Sequence, residues 1–489
     1  MKRGWSWTTV IVANTHQQTK DTAPMDRRRQ ILQHQQQRFH RHASNCDAYA
    51  FFNLLTAPEL LQRVESALPE HRERLFPPTE TLSMFLAQAM SADRSCQNAV
   101  NDLAVKRSCS GMRPNSAHTG AYCKARKRLP VEMVSTLVRH TGSAISDQAP
   151  SSWRWMGRPV RLVDGTTVTM PDTAANQGAY PQSRGQKVGL GFPLCRVVGI
   201  VCLSSGAVLD AALGRFRGKG GDEQTLLRSM LDTLNTGDIL LGDAYYATYF
   251  LLCELQRRGV DGVFEQYGAR RRSTDFRQGQ SLGSEDHLIE LKKPERRPPW
   301  MSQAHYEQAP ERLTVRELKA GGKTLVTTLH CPKQTPKTAL KSLYKGRWHV
   351  ELDLRNLKST LGLGKLSCKT PGMAVKELWV YLLAHNLIRM LMAQSALLAD
   401  CLPRELSFKH SLQLWLALRQ YGSSEEEAGM AHLLKLIAQR RVGNEKKGDR
   451  FIFKSSAKLK ASTDGGTLYA QSGTYCFTEL PASRSAAGP

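Results

Sequence analysis

Acidic residues are scarce in this chain. Its 489 residues carry 43 Asp and Glu against 68 Lys and Arg, a formal net charge of +25. That deficit says nothing about fold, but it predicts attraction to a polyanion, either nucleic acid or an acidic membrane. Closely spaced cysteines are missing too. The eleven Cys stand at positions 46, 96, 109, 123, 195, 202, 253, 331, 368, 401 and 476, and no two are separated by only two residues. Zinc ribbons and thioredoxin-like redox motifs therefore have no foothold, and an odd count without a secretory signal suits a reducing cytosol. No long apolar run is uninterrupted: His385, Asn386 and Arg389 break the stretch from Leu378 to Ala399, which marks a buried core helix, with His385 as a satisfied core histidine. The opening MKRGWSWTTVIVAN lacks the long apolar stretch and small-residue cleavage site of a secretory leader. The chain reads as soluble, cytoplasmic and nucleoid-associated. A nucleotide-binding phosphate loop is also absent: in GRFRGKGGDEQ no Ser or Thr follows Gly-Lys, so the segment reads as a strand-to-helix turn capped by Asp222.

What is present is enough for sizeable cores. Hydrophobic residues make up 41% of the chain, with eight Trp, and the length implies two to four domains. Residues 1–24 are patternless and read as a disordered extension. Residues 25–150 begin basic and Gln-rich and become helical, a candidate DNA-binding domain in which helices over 79–104 and 116–140 form a helix-turn-helix or a plain bundle. From 151 to 267, three strands (VRLVDGTTVTM, LCRVVGIVCL, AVLDAAL) precede alternating helices and strands, the order of an RNase H-like mixed sheet. Residues 268–335 are charged, Pro-dotted and strand-like towards their end, and read as a separate β-rich insertion. Helical pattern resumes over 336–400, and 401–489 form a helical region and a basic tail. The fold class is α/β: an RNase H-like mixed-sheet catalytic core interrupted by a mainly β insertion, with a helical N-terminal domain.

The strongest chemical signal is YKGRWHVELDLRNLK. Tyr344, Arg347, Glu351 and Lys358 stand at offsets that, at about 100° per residue, fall within a sector of about 60° on one long helix. The bland alternative is a solvated face with i,i+4 ion pairs. Two further acids raise the functional reading. Asp164 lies inside the apolar strand RLVDGTTV and Asp243 ends the apolar strand DILLGDAYY, where an acid is costly unless paired or bound to metal. In an RNase H-like sheet the first and fourth strands are neighbours. The two carboxylates would then meet and repel, a penalty that a divalent cation removes.

VDGT, GDAYY and the spaced Tyr-Arg-Glu-Lys helix together resemble the insertion-sequence-four family of DDE transposases, from about Phe51 to Arg441. The resemblance implies an RNase H-like core, a mainly β insertion before the catalytic Glu, and a homodimer gripping double-stranded DNA at two transposon ends. It implies Asp164, Asp243 and Glu351 as catalytic metal ligands for Mg²⁺, with Mn²⁺ as a substitute and two ions per active site. Hard carboxylate oxygens suit such ions. Tyr344, Arg347 and Lys358 become phosphate contacts. Trp300 is a further candidate, for stacking on a flipped base, with a surface or small-core Trp as the alternative. Lys124, Arg126, Lys127 and Arg128 are candidates for DNA phosphates. The tail NEKKGDRFIFKSSAKLKASTDGG departs from the Arg/Pro-rich ending common in the family. The expected activity is cleavage and joining of transposon ends at terminal inverted repeats, with excision through a hairpin. Rival expectations are a catalytically inactive, transposase-derived repressor and an RNase H-like nuclease without strand transfer.

Overall fold

A computed structural model describes residues 76–442, except 110, 186, 188, 219, 267, 269–273 and 422–425. The expected extension over 1–24, the start of the helical region (25–75) and the basic tail beyond 442 lie outside the described residues. The described chain opens with four helices, α1 (Pro78–Met90), α2 (Cys96–Cys109), α3 (Gly120–Arg128) and α4 (Val131–Asp147). A mixed segment follows: β1 (Val160–Thr169), α5 (Ala174–Ala179), β2 (Leu194–Cys202), β3 (Val208–Arg215), α6 (Glu223–Arg228), β4 (Ile239–Leu241), α7 (Tyr249–Arg257) and β5 (Asp261–Glu265). Next come β6 (Gln280–Gly283), β7 (Asp286–Lys292), α8 (Gln303–Gln308), β8 (Arg312–Ala320) and β9 (Lys323–Thr327). The remaining helices are α9 (Lys337–Lys345), α10 (Trp348–Arg355), α11 (Pro371–Leu398), α12 (Phe408–Tyr421) and α13 (Glu426–Ala438).

All nine strands belong to one sheet, in the order β3-β2-β1-β4-β5-β9-β8-β7-β6. β1 pairs antiparallel with β2 and parallel with β4, and β4 pairs parallel with β5. Alternation along β1 divides the apolar residues between two cores: Val160, Leu162 and Val168 face α1, α4, α11 and the α9–α10 segment, whereas Val163 faces α6 and α7. Sheet alternation thus decides which side chains meet the later helices and which meet the crossover helices.

Two expectations are corrected. Residues 268–335 are rich in strands as read, but they are not separate: β9 pairs with β5 (Val263↔Thr327, Glu265↔Leu325), and β8, β7 and β6 extend the same sheet. Without β9, β5 would present an unpaired edge of backbone donors and acceptors, and the inserted hairpins cover it. The boundary at residue 150 is likewise no break in packing. α4 and α1 bury Met133, Leu137, Leu82 and Phe85 in the same core as β1, β2 and α11. Only a smaller cluster around Phe76, Val100, Tyr122 and Ala125 is local to the first helices. The helix expected over 79–104 also breaks at 91–95, where the Ser95 hydroxyl accepts from Asn98 N–H and restarts the chain as α2.

The stretch Leu378–Ala399 is the buried helix its interruptions implied. Asn386 binds Val208 N–H and the Val208 and Val138 carbonyls, and His385 Nε2 meets the Gly206 carbonyl at 2.9 Å. Burial holds His385 down at about 3. Among the described residues no helix is long and apolar enough to cross a membrane.

Candidate active site

The strand register brings the two aspartates together. β1 and β4 run parallel with Val160 opposite Ile239 and Leu162 opposite Leu241. Continued two residues further, that register sets Asp243 beside Asp164. β4 itself stops at Leu241, because Asp243 turns the chain: its Oδ1 accepts the Tyr245 N–H at 2.9 Å. Asp164 accepts the N–H of Gly165 at 2.8 Å. Burial pushes the Asp164 carboxyl up to about 6, against the Gly165 N–H and the Arg347 guanidinium, with the charges of Asp243 and Glu223 adding to the rise. A carboxylate short of water and next to others of its sign lacks positive charge.

The Tyr-Arg-Glu-Lys residues reach the same sheet face, although not from one ideal helix. The chain turns at Gly346 and Arg347 between α9 and α10, and Lys358 sits in a π-helical turn over Asn356–Thr360. Such a turn re-aims a side chain relative to straight α-helical spacing. Val350 and Leu357 anchor this segment in the core that also holds Leu162 and Leu241. Lys358 Nζ donates to Thr166 Oγ1 at 3.3 Å, two residues beyond Asp164 on the same strand face. The Tyr344 hydroxyl donates to Glu265 Oε2 at 3.5 Å, at the end of β5. Arg347 pairs with Glu351 at 3.2 Å.

That last pair modifies the expectation that three carboxylates converge. Asp164 and Asp243 are neighbours, but Glu351 is held by Arg347. Among the described residues no three Asp, Glu, His or Cys form a group able to hold one ion. Carboxylates repel, and the Arg347 guanidinium pairs with Glu351 while its charge also acts on Asp164.

Glu223, Tyr246, Thr166 and Glu265 were not singled out in the sequence. The available signal was the glycine of Asp164-Gly165: a Cβ there would lie 2.5 Å from Glu223 Cδ. Elsewhere the candidates divide. Trp300 is half-exposed, with the Arg228 guanidinium 3.8 Å from its ring centroid and Phe250 against its edge. Lys124, Lys127 and Arg128 are exposed on α3. Arg126 is not available to a phosphate: it is buried against the rings of Phe85 and Tyr122 and donates to Gln88 Oε1 at 3.1 Å. The i,i+4 geometry of a short amphipathic helix turns one member of any basic run inward. Asp222 caps α6 as expected, its side chain accepting from Thr225 N–H.

Residues 155–387 match the family model described as the transposase DDE domain. That span holds both aspartates and the Tyr-Arg-Glu-Lys helix. The chain is 26% identical over 400 residues to the transposase InsG for insertion sequence element IS4 of Escherichia coli (strain K12), covering 78% of this chain and 88% of that one. Among solved structures, the cryo-EM structure of piggyBac transposase synaptic complex with hairpin DNA aligns with a TM-score of 0.38 and 9% identity, over 86% of this chain and 87% of that chain, a likeness too slight to carry an argument. With the transposase DDE domain matched over 155–387 and the similarity to an IS4 transposase running through most of both chains, this protein is a DNA transposase, an enzyme that cleaves DNA and transfers its strands.

Proposed function

We propose that this transposase cuts and joins transposon ends on an RNase H-like core, at a site formed by Asp164, Asp243 and Glu351. The observation that supports this reading is the β1–β4 register, which pairs Leu162 with Leu241 and, continued by two residues, aligns Asp164 with Asp243 on the face where the Glu351 segment packs. The donor types suit a hard divalent cation: all are carboxylate oxygens, one carboxyl is pushed up by burial among other acids, and Glu351 has to leave Arg347 to complete the set. Asp164, Asp243 and Glu351 would hold two Mg²⁺, or Mn²⁺ in their place. Such ions, when bound, activate the attacking water or 3′-hydroxyl and stabilise the leaving 3′-oxygen.

The chain's own part is positioning. Arg347, beside Glu351, offers a bidentate fork to a phosphate, Lys358 a point charge and Tyr344 one hydrogen bond. Replacing Arg347 or Lys358 by Ala should slow end cleavage about tenfold or more, the loss of one charge-assisted hydrogen bond. Equal cleavage rates for both variants and the unaltered chain would leave that face merely solvated. The decisive assay offers the protein a pre-cut terminal-repeat end and a target duplex with Mg²⁺. Joined product supports this reading, cutting without joining favours a nuclease, and binding without either favours a repressor.

A site that reads backbone geometry does not choose sequence, so end recognition falls to another surface. We assign it to the helical region over 25–150, acting in a homodimer that holds two ends. Deleting 1–150 would strip α1 and α4 from the core, so substitutions are the cleaner test. Lys124→Ala, Lys127→Ala and Arg128→Ala should each flatten the log-log salt dependence of binding by about 0.9 per lost phosphate contact. An unchanged slope in the triple variant would move recognition elsewhere.

A further inference from the structure

We propose, on the reading of Asp164 and Asp243 given above, that Glu223 is a positioning residue that ties the Asp164–Gly165 stretch of β1 to the Asp243–Tyr246 turn and so fixes how the two aspartates stand. Glu223 opens α6 directly after the Asp222 cap. Its carboxyl lies where a side chain of Gly165 would be, 2.5 Å from an added Cβ to Cδ and 2.6 Å to Oε1. Gly165 therefore makes room for Glu223. Adjacent strand residues face opposite ways, so this carboxyl supports β1 from the face opposite Asp164.

The same carboxyl grips the second turn. Oε2 accepts the Tyr246 hydroxyl at 3.3 Å, and the next residue of α6, Gln224, donates from Nε2 to the Tyr245 carbonyl at 2.6 Å. Tyr246 is wholly buried, and its ring lies 3.0 Å from where a Cβ on Gly242 would sit, so its position and that of Asp243 move together. Arg196 on β2 completes the surround, its Nε 3.9 Å from Oε1. For packing alone, an amide or apolar side chain would serve without adding a third negative charge near two aspartates. An acid kept at such a place points to function rather than stability.

The test uses the full chain on a terminal-repeat duplex. It compares Glu223→Ala, Tyr246→Phe, the double variant and Asp243→Asn. Mn²⁺ binding by electron paramagnetic resonance and the Mn²⁺ dependence of cleavage are both measured. Each single change at the brace should weaken Mn²⁺ binding about tenfold, the size typical of a group that orients metal ligands, with duplex affinity retained. Because both remove the same link, the double variant should be no weaker than the weaker single. Unaltered Mn²⁺ binding in Glu223→Ala and Tyr246→Phe, or fully additive losses, overturns the brace. If Asp243→Asn also binds Mn²⁺ as the unaltered chain does, the assignment of the aspartates falls instead. Tyr246→Phe keeps the buried ring, so it carries the test alone should Glu223→Ala fail to fold.

Discussion

Replacing Asp164, Asp243 or Glu351 by Ala should reduce end cleavage and strand joining by at least about 10³-fold, the upper range for deleting one preorganised electrostatic group. Binding of the uncleaved terminal repeat should change little, because affinity for DNA comes mainly from Lys and Arg contacts to phosphates. Combining two of the substitutions should add little to the loss from one, since the three act as a unit. The check is a cleavage time course on a labelled end beside an equilibrium binding titration of the same preparation. Retained cleavage by any one variant removes that residue from the site. The expectation is sharpest for Asp164, whose buried carboxyl has the strongest local need of a cation. Glu351 is the most exposed of the ion-paired residues on its helix, with 37% of its side chain accessible, and its partner Arg347 should then bind DNA without competition from it.

The sequence was informative where periodicity and chemistry coincide. The first five strands are short apolar runs bounded by turn residues; four lie within the segments read as strands, and β3 runs two residues past its own, to Arg215. The pairing of Asp164 with Asp243 was legible because it follows from strand order alone, and β1 does lie beside β4. Less was legible where the answer depends on partners far away in sequence. Nothing in GGKTLVTTLHC tells β9 to close onto β5, since edge pairing has no local signature. Arg126 resembles its neighbours Lys127 and Arg128 in a basic run, and only the tertiary position of Phe85 and Tyr122 makes it a core residue. The offsets of the Tyr-Arg-Glu-Lys residues imply one face of a straight helix, whereas the helix breaks at Gly346 and widens at Lys358. Contact with Thr166 and Glu265, not ideal spacing, places the Lys358 and Tyr344 side chains.

The largest effect on stability should come from Asp353, two residues after Glu351 and wholly buried. Its Oδ1 accepts from Arg389 Nη2 on α11, and its Oδ2 accepts from Arg404 Nη2 at 2.8 Å. Arg404 also donates to the carbonyls of Cys202 and Leu203 at the end of β2. Arg389 lies against Gly206, whose φ of +75° and missing side chain let the guanidinium pass. The segment carrying Glu351 is thus fastened to α11 and to the β2–β3 turn through one carboxylate. Asp353→Ala leaves two guanidiniums buried without their anion, which should cost about 3–5 kcal/mol. Asp353→Asn keeps the volume but not the charge and should come close to the same loss. Burial pushes the Asp353 carboxyl up, but Arg404 and Arg389 outweigh it and hold the group below the ordinary carboxylate range. A carboxyl lowered on folding contributes stability that is complete above its unfolded value and is lost as pH falls through the folded one. The gap between Asp353→Ala and the unaltered chain should therefore stay constant from neutral pH down to about 4, the unfolded aspartate value, and narrow only in stronger acid. Urea unfolding of both proteins at several pH values measures it. A loss below about 1 kcal/mol, the scale of an exposed ion pair, would mean that the helix holds its place without this anchor.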